Sequence, residues 1–301
     1  MDAKTFRNLS RGDVAQIMGE AGPKVCVFPL NGTRRWFMLE RARPNEDFAS
    51  AYLDAITTRL VEICQLLFEH GVDTLLMPIL SPHLFQARGD GYTRMTIEAL
   101  TLLTDHPKFL DFYEAQAVRV RFYGDYGQYF AGTPYAYLLD HFDSVTQNTL
   151  AHKGHRLFWG VCAHDGVETT AALAIRYYKE RGHEPDKRAL VEMYYGEYIP
   201  PVDFFITALK PRAFDMPLVT NGREDLYFTV TPSPYLTEVQ LRDILFDHLY
   251  ARPKEETNYQ GMEPEDWLSL RQFYEANQNK TLGVGARHKQ WGIWYPVMRD
   301  A

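Results

Sequence analysis

Cysteine is scarce: Cys26, Cys64 and Cys162 are the only three in 301 residues. They are odd in number, far apart and set among apolar neighbours. A disulfide framework is excluded, and buried free thiols in a reducing compartment account for them. Long apolar runs are also missing. No stretch approaches the ~18 residues of a membrane span, and no amino-terminal segment has the pattern of a signal peptide. The chain therefore reads as a cytoplasmic protein without membrane insertion, and the sequons at Asn31-Gly32-Thr33 and Asn279-Lys280-Thr281 read as chance matches, as does Arg88-Gly89-Asp90. Runs of lysine and arginine are absent, and the net charge of -7 argues against a nucleic-acid partner. There is no internal repeat and no low-complexity tract.

Against these absences stands an ordinary globular composition, with 46% hydrophobic and 24% charged residues. Aromatic residues reach 14%, which suits either bulky core packing or a pocket for a large apolar ligand. Six short runs are rich in apolar, β-branched or aromatic residues: 24–30, 73–80, 118–123, 157–163, 202–208 and 225–230. Most are almost unbroken in hydrophobicity, as strands buried on both faces are. Helical spacing fills the intervals. Leu53, Ile56, Leu60, Ile63 and Leu67 mark one helix face that stops near His70-Gly71, and 93–104, 167–181 and 237–250 read the same way. Alternating strands and helices predict an α/β fold with a largely parallel sheet of about six strands flanked by helices. The simplest organisation is one domain, with a core over about 20–250 and an extension over 251–301 that is polar and irregular from 253 to 277. In such sheets ligands bind beyond the carboxyl ends of strands, so the segment after the first strand is the first place to look for chemistry.

That segment reads Asn31-Gly32-Thr33-Arg34-Arg35-Trp36. A glycine there permits a tight turn that offers backbone N–H groups to an anion, and two adjacent arginines add forked donors suited to phosphate oxygens. The stretch from Pro23-Lys24 to Trp36 resembles the first signature of the cis-prenyltransferases: Pro-Lys-His, an apolar strand, then Asp-Gly-Asn-x-Arg-Trp. Further matches follow in order: 118–125 (VRVRFYGD), Pro201-Val202-Asp203-Phe204-Phe205-Ile206 and Leu226-Tyr227-Phe228-Thr229. The likeness spans roughly 20–250. Within that superfamily the sequence is similar to the branch of tuberculosinyl adenosine transferase (tuberculosinol synthase) and kolavelool synthase. The segments that carry this likeness are Leu67-Phe68-Glu69-His70-Gly71, Tyr194-Tyr195-Gly196-Glu197-Tyr198 and, in the tail, Gly283-Val284-Gly285.

The resemblance implies a (Z)-prenyl synthase fold, a homodimer, Mg²⁺ as cofactor and an allylic diphosphate as substrate. The departures narrow the reaction. The second diphosphate site of the elongating enzymes would carry an arginine at Thr207 and a serine near Phe214, which leaves Arg212 alone. An Asn-Tyr-Gly-Gly-Arg segment of that family is here His164-Asp165-Gly166-Val167-Glu168, with an acid in place of a base. Lost cations disfavour elongation by isopentenyl diphosphate. The family's catalytic aspartate is Asn31, whose neutral amide cannot act as a base, and its histidine or tyrosine seventeen residues on is Phe48. Asp225 falls where elongating enzymes carry a Mg²⁺-binding glutamate. No Asp-Asp-x-x-Asp run of ordinary terpene cyclases is present; Asp140 and Asp143 read as a solvated helix end.

The expectation is therefore a diterpene synthase that ionises a bicyclic C20 allylic diphosphate, of kolavenyl or tuberculosinyl type, and adds water to give a tertiary alcohol. Catalysis falls to Asn31, Arg34 and Arg35. Diphosphate binding falls to Gly32, Thr33, Arg34, Arg35, Ser81 and Arg212, the pocket walls to Trp36, Phe37, Phe48 and Leu80, and metal contact to Asp225. Transfer of the diterpenyl group to adenosine, residual elongation and a non-catalytic subunit remain as alternatives.

Overall fold

A computed structural model describes residues 1–82, 89–163, 166–214, 216–252 and 259–296. The chain opens with α1 (Ala3–Arg7), α2 (Arg11–Glu20), β1 (Val25–Val27), α3 (Thr33–Glu40), α4 (Phe48–Glu69) and β2 (Thr74–Leu80). It continues through α5 (Asp90–Asp105), α6 (Pro107–Ala115), β3 (Val118–Tyr123), α7 (Tyr126–Phe130), α8 (Tyr137–Asn148) and β4 (His155–Val161). Then come α9 (Gly166–Arg181), α10 (Lys187–Tyr195), β5 (Phe204–Ala208), β6 (Asp225–Thr229) and α11 (Glu238–Phe246). The tail adds α12 (Pro264–Asn277) and the strands β7 (Gly285–Arg287) and β8 (Trp294–Pro296).

Six strands form one sheet in the order β3-β4-β2-β1-β5-β6, every pair parallel. All six runs expected from the sequence are strands of this sheet, which is the α/β architecture expected. β1 is shorter than its apolar run because Pro29 has no N–H to continue the ladder. Phe28 still donates to the Leu76 carbonyl at 2.8 Å. β1 lies between β2 and β5, so the chain leaves it toward one half of the sheet and later returns on its other side. The loop after β1 thus sits at a topological switch point, where open α/β sheets place ligands.

Alternation along β1 divides the core. Cys26 faces the larger apolar layer, built from α1, α2, α4, α5, α6, α8 and α11. Val25 and Val27 face a smaller one with Val191 and Tyr195 of α10 and the segment around Val202 and Val219. All three cysteines are buried and free. One expectation for the tail needs correction. Residues 264–277 are helical rather than irregular: Pro264 sits at the first helical turn and the Asp266 carboxylate accepts from the Glu263 N–H at 3.0 Å. No residue of α12 is buried, so the apolar periodicity that would reveal it is missing. The following residues form an antiparallel pair, β7 with β8. Arg88 and residues 164–165 lie outside the described residues. Among the described residues no helix is long and apolar enough to cross a membrane.

The amino terminus is tied to α11 by charge. Arg242, 5% exposed, donates to the carbonyls of Arg7 (3.3 Å) and Leu9 (2.7 Å) and pairs with Glu238 at 2.7 Å. Hydrogen bonds from Arg11 hold the Glu238 carboxyl down at about 2; burial opposes this and Arg242 adds to it. A depressed carboxyl contributes stability that is complete above its unfolded value near 4.5 and is lost as the pH falls through about 2. Glu238→Gln is accordingly expected to cost about 1 kcal/mol at neutral pH, a figure discounted for partial exposure. It should also flatten the acid limb of an unfolding curve followed by circular dichroism. An unchanged acid limb would mean that Glu238 does not set it.

Candidate active site

The loop leaving β1 is held by one buried hydroxyl. Ser233, 2% exposed, donates to the Pro29 carbonyl at 3.0 Å and accepts from the Asn31 N–H at 3.0 Å. Its own N–H donates to the Asn31 carbonyl at 2.9 Å. These three bonds fasten the β1 loop to the segment after β6, on the far half of the sheet. Gly32 then turns the chain at φ 75° and begins α3 with no side chain capping its first N–H groups. A Cβ at Gly32 would stand 2.9 Å from Pro232 Cβ, so both the backbone angle and the space require glycine.

Three features of an anion site therefore coincide: open N–H groups at the amino end of α3, and the guanidinium groups of Arg34 and Arg35. Among the described residues neither arginine has a carboxylate partner. Arg34 lies 5.8 Å over the Phe48 ring and 6.0 Å over that of Tyr92, a placement that fixes a cation without neutralising it.

From this loop a cavity of about 590 Å³ runs between α4 and α5. Its polar end is Asn31, Gly32, Thr33, Arg34 and Arg35; its inner walls are apolar. Tyr52, Ile56 and Leu60 form one stripe on α4, and Tyr92, Met95, Ala99 and Leu103 another on α5, facing Ile79 and Leu80 of β2. The Tyr52 hydroxyl lies 2.8 Å from Thr33 Oγ1 at the junction of the two environments. Burial raises the Tyr52 pKa against the opposing Thr33 bond, so the phenol stays neutral. A second cavity, of about 740 Å³, shares Asn31 and Arg35 with the first. It extends the other way, past Ser81, Lys210, Arg212, Phe214 and Trp294. Leu209, at φ 69°, turns the chain out of β5 into this wall. Leucine in left-handed backbone is a strained conformation of the kind found at binding sites.

The residues singled out in the sequence distribute as follows. Asn31, Gly32, Thr33, Arg34, Arg35 and Leu80 line the first cavity; Ser81 and Arg212 line the second, with Asn31 and Arg35 common to both. Phe48 packs edge-on to Phe37 at 5.3 Å beside Arg34 and lines neither. Trp36 and Phe37 are buried and line a separate crevice with Arg41 and Arg43; Phe37 lies edge-on to Tyr52 at 5.6 Å, behind the wall of the first cavity. Thr207, where a family arginine would stand, is buried with its hydroxyl unpaired. Asp225 pairs in register with Phe204 at the amino end of β6, the end opposite Asn31. Its oxygens lie 2.7 Å from His248 Nδ1 and 3.3 Å from Arg252 Nη1.

These placements bear on Mg²⁺. Among the described residues neither cavity lining includes a carboxylate, and the amide of Asn31 is a poor ligand for a hard dication. Among the described residues no cluster of three His, Cys, Asp or Glu side chains is arranged to hold a metal. The described groups at this site do not fit a resident Mg²⁺, and no step below passes through one. Apart from Leu80, the inner walls of the first cavity were not foreseen, nor were the Ser233 clamp, Lys210 and Trp294. The i, i+4, i+8 run of Tyr52, Ile56 and Leu60 was legible, but periodicity alone does not separate a cavity-facing stripe from a core-facing one.

Comparison with known proteins places this geometry. No family model matches the chain. Over 294 residues it is 39% identical to the tuberculosinyl adenosine transferase of Mycobacterium tuberculosis, covering 97% of each protein. It is 25% identical over 281 residues to the (+)-kolavelool synthase of Herpetosiphon aurantiacus, covering 92% of this chain and 90% of that protein. In fold it is similar to lavandulyl diphosphate synthase from Lavandula x intermedia, crystallised with dimethylallyl diphosphate. The TM-score is 0.62 at 17% identity, over 77% of this chain and 97% of that one. A probable undecaprenyl diphosphate synthase from Campylobacter jejuni gives a TM-score of 0.56 at 15% identity, over 78% and 97%.

Gly32→Ala tests whether the turn builds the anion site. The Cβ strain and the contact with Pro232 are expected to cost about 1–2 kcal/mol of stability. Affinity for inorganic diphosphate, measured by titration calorimetry, should fall at least about tenfold as the N–H groups and Arg35 swing away. Unaltered diphosphate binding in a folded variant would show that the turn does not shape the site.

Proposed function

The chain belongs to the tuberculosinyl adenosine transferase branch of the cis-prenyltransferase superfamily, and from that premise we propose that it ionises a bicyclic C20 allylic diphosphate and transfers the diterpenyl group to a nucleoside. The observation that carries this reading is the meeting of two unlike cavities at Asn31 and Arg35. The apolar one suits the hydrocarbon of a donor whose diphosphate rests on α3. The polar and aromatic one has room for an acceptor much larger than water.

In this reaction the C–O bond of the allylic diphosphate breaks heterolytically, and the diphosphate leaves with the electron pair. Arg34, Arg35 and the N–H groups beyond Gly32 stabilise the charge that develops there. The cation remains among the apolar side chains of Ile56, Leu60, Met95 and Leu103, which shield it from bulk water. A ring nitrogen of the acceptor, entering from the second cavity, supplies the lone pair for the new C–N bond.

A second reading is capture of the cation by water to give a tertiary diterpene alcohol, the proton passing to diphosphate. Asn31 favours it: its amide sits at the junction of the cavities, lies 3.5 Å from the Ala208 carbonyl and orients a small polar nucleophile without acting as a base. Elongation by isopentenyl diphosphate is the third reading: Thr207 and Phe214 stand where the elongating enzymes carry an arginine and a serine, while Arg35, Lys210 and Arg212 still line the second cavity.

Purified protein incubated with tuberculosinyl, kolavenyl and geranylgeranyl diphosphates, with and without adenosine and isopentenyl diphosphate, is expected to give an adenosine adduct by mass spectrometry. Alcohol alone, unaffected by adenosine, would favour the water reading, and longer chains would restore elongation. A chain without turnover on any donor would be a non-catalytic subunit. Replacing both Arg34 and Arg35 by alanine is expected to lower diphosphate release about 10²- to 10³-fold or more. Intact release in that variant would overturn the placement of the leaving group.

A further inference from the structure

The second cavity is closed on one side by the tail, through Gly292, Ile293 and Trp294. We infer that this hairpin is the acceptor-recognition element, and that the Trp294 indole stacks on the planar heteroaromatic ring of the acceptor. The inference rests on the transferase reading above and names the residue that selects its acceptor.

Several independent features fix where the indole sits. The tail reaches the cavity wall at Gly283, where φ is +82° and a Cβ would come within 3.3 Å of Pro211. In the hairpin Trp294 pairs with Arg287 and Gly285 with Pro296. A Cβ on Gly285 would stand 2.2 Å from an indole carbon of Trp294, so only glycine lets the ring lie across β7. The turn is held by its own bonds: the His288 N–H donates to the Ile293 carbonyl at 2.8 Å and the Gly292 N–H to the His288 carbonyl at 2.9 Å. Trp291 stacks on His288 at 4.1 Å, which closes the turn from outside. Short exposed hairpins are marginal alone, so this amount of local fixing is consistent with a side chain held in one place.

The facing wall matches that role. Phe214 of the loop after β5 is half-buried and packs edge-on to Phe205 at 6.0 Å. Two aromatic groups and the hydrogen-bonding Asn31 and Ser81 thus line one cavity with three cations, Arg35, Lys210 and Arg212. A cationic amine would be repelled there, and an aliphatic alcohol would leave the aromatic surface uncovered. A neutral planar base with ring-nitrogen and carbonyl or sugar oxygen acceptors satisfies both. Arg35 lines both this cavity and the one assigned to the donor, so a base held here lies next to the leaving diphosphate.

The test is Trp294→Ala beside Trp294→Phe and Gly285→Ala, each checked for folding by circular dichroism. Loss of one stacking partner is expected to raise the adenosine KM about 10- to 100-fold, with the change falling on adenosine rather than on the donor. The product ratio should shift from adduct toward alcohol. Phenylalanine should recover most of the loss, and Gly285→Ala, which displaces the indole, should behave like Trp294→Ala. Calorimetric titration of adenosine in the presence of inorganic diphosphate reads the slot even without turnover. A wild type that releases no diphosphate from any donor overturns the transferase reading. A wild type that forms adduct, with adenosine KM unchanged in Trp294→Ala, overturns the slot alone. Absence of adenosine binding by the wild type does so as well.

Discussion

The bonds of Ser233 to the two sides of the β1 loop are the constraint on which the site depends. A three-residue strand that ends at a proline has little ladder of its own beyond Val27. Without the Ser233 hydroxyl, the carbonyl of Pro29 would be a buried polar group lacking a partner, at about 1–3 kcal/mol, and the half-buried N–H of Asn31 would lose its bond as well. With it, the loop has one position, and Gly32 starts α3 at one angle. Everything chemical follows from that angle: which way the first N–H groups point, which cavity Arg34 borders, and how Arg35 comes to face both. The clamp also couples the halves of the sheet, because Ser233 follows β6 while Asn31 follows β1.

Charge is distributed in keeping with this. The chain is acidic overall, at -7, yet among the described residues neither cavity at the carboxyl edge of the sheet is lined by an acid. Acids gather elsewhere, and there they are satisfied. Asp225 is held by His248 and Arg252, Asp247 by Tyr227, and Glu197 by Arg119 and Arg156. The cations at the α3 turn are thus left for a ligand, and two of them on adjacent residues are stable only while solvent or an anion screens them. An anionic leaving group is the partner the arrangement lacks. An inorganic cation held by protein carboxylates is not.

Much of this was legible in the sequence, for identifiable reasons. Buried parallel strands are nearly continuous apolar runs, so all six announced themselves, and Asn31-Gly32-Thr33-Arg34-Arg35 carried its chemistry in a contiguous segment. The cavity walls were hidden because Tyr52 and Ile56 of α4 share a helical period with the core-facing Leu53 and Ile63. Only the three-dimensional placement of α5 decides which stripe meets empty space. Trp36 and Phe37 illustrate the converse. Aromatic residues next to a phosphate-like loop look like pocket walls, but Trp36 is buried in the crevice with Arg41 and Arg43, and Phe37, one turn beyond Thr33, packs behind Tyr52 rather than at the cavity surface. Asp225 was placed by its motif, and a motif does not say which end of a strand an acid occupies. The tail was opaque because its helix buries nothing and its hairpin is held by glycines and local contacts rather than by apolar rhythm.

Transfer and hydrolysis then differ in one physical respect. In the proposed reaction both begin with the same ionisation on Arg34 and Arg35, and both end with a nucleophile crossing the junction at Asn31. Water fills the second cavity whenever nothing else does, since its lining of Ser81, Lys210 and Arg212 is well hydrated. An acceptor competes by displacing that water from aromatic surface, where water is held least well. Product choice is thus set less by the catalytic residues than by how completely the wall from Phe214 to Trp294 is covered at the moment the C–O bond breaks. On this view two enzymes with one ionising centre can make an alcohol or an adduct according to their tails, and the segment least constrained by the fold is the one that distinguishes their products.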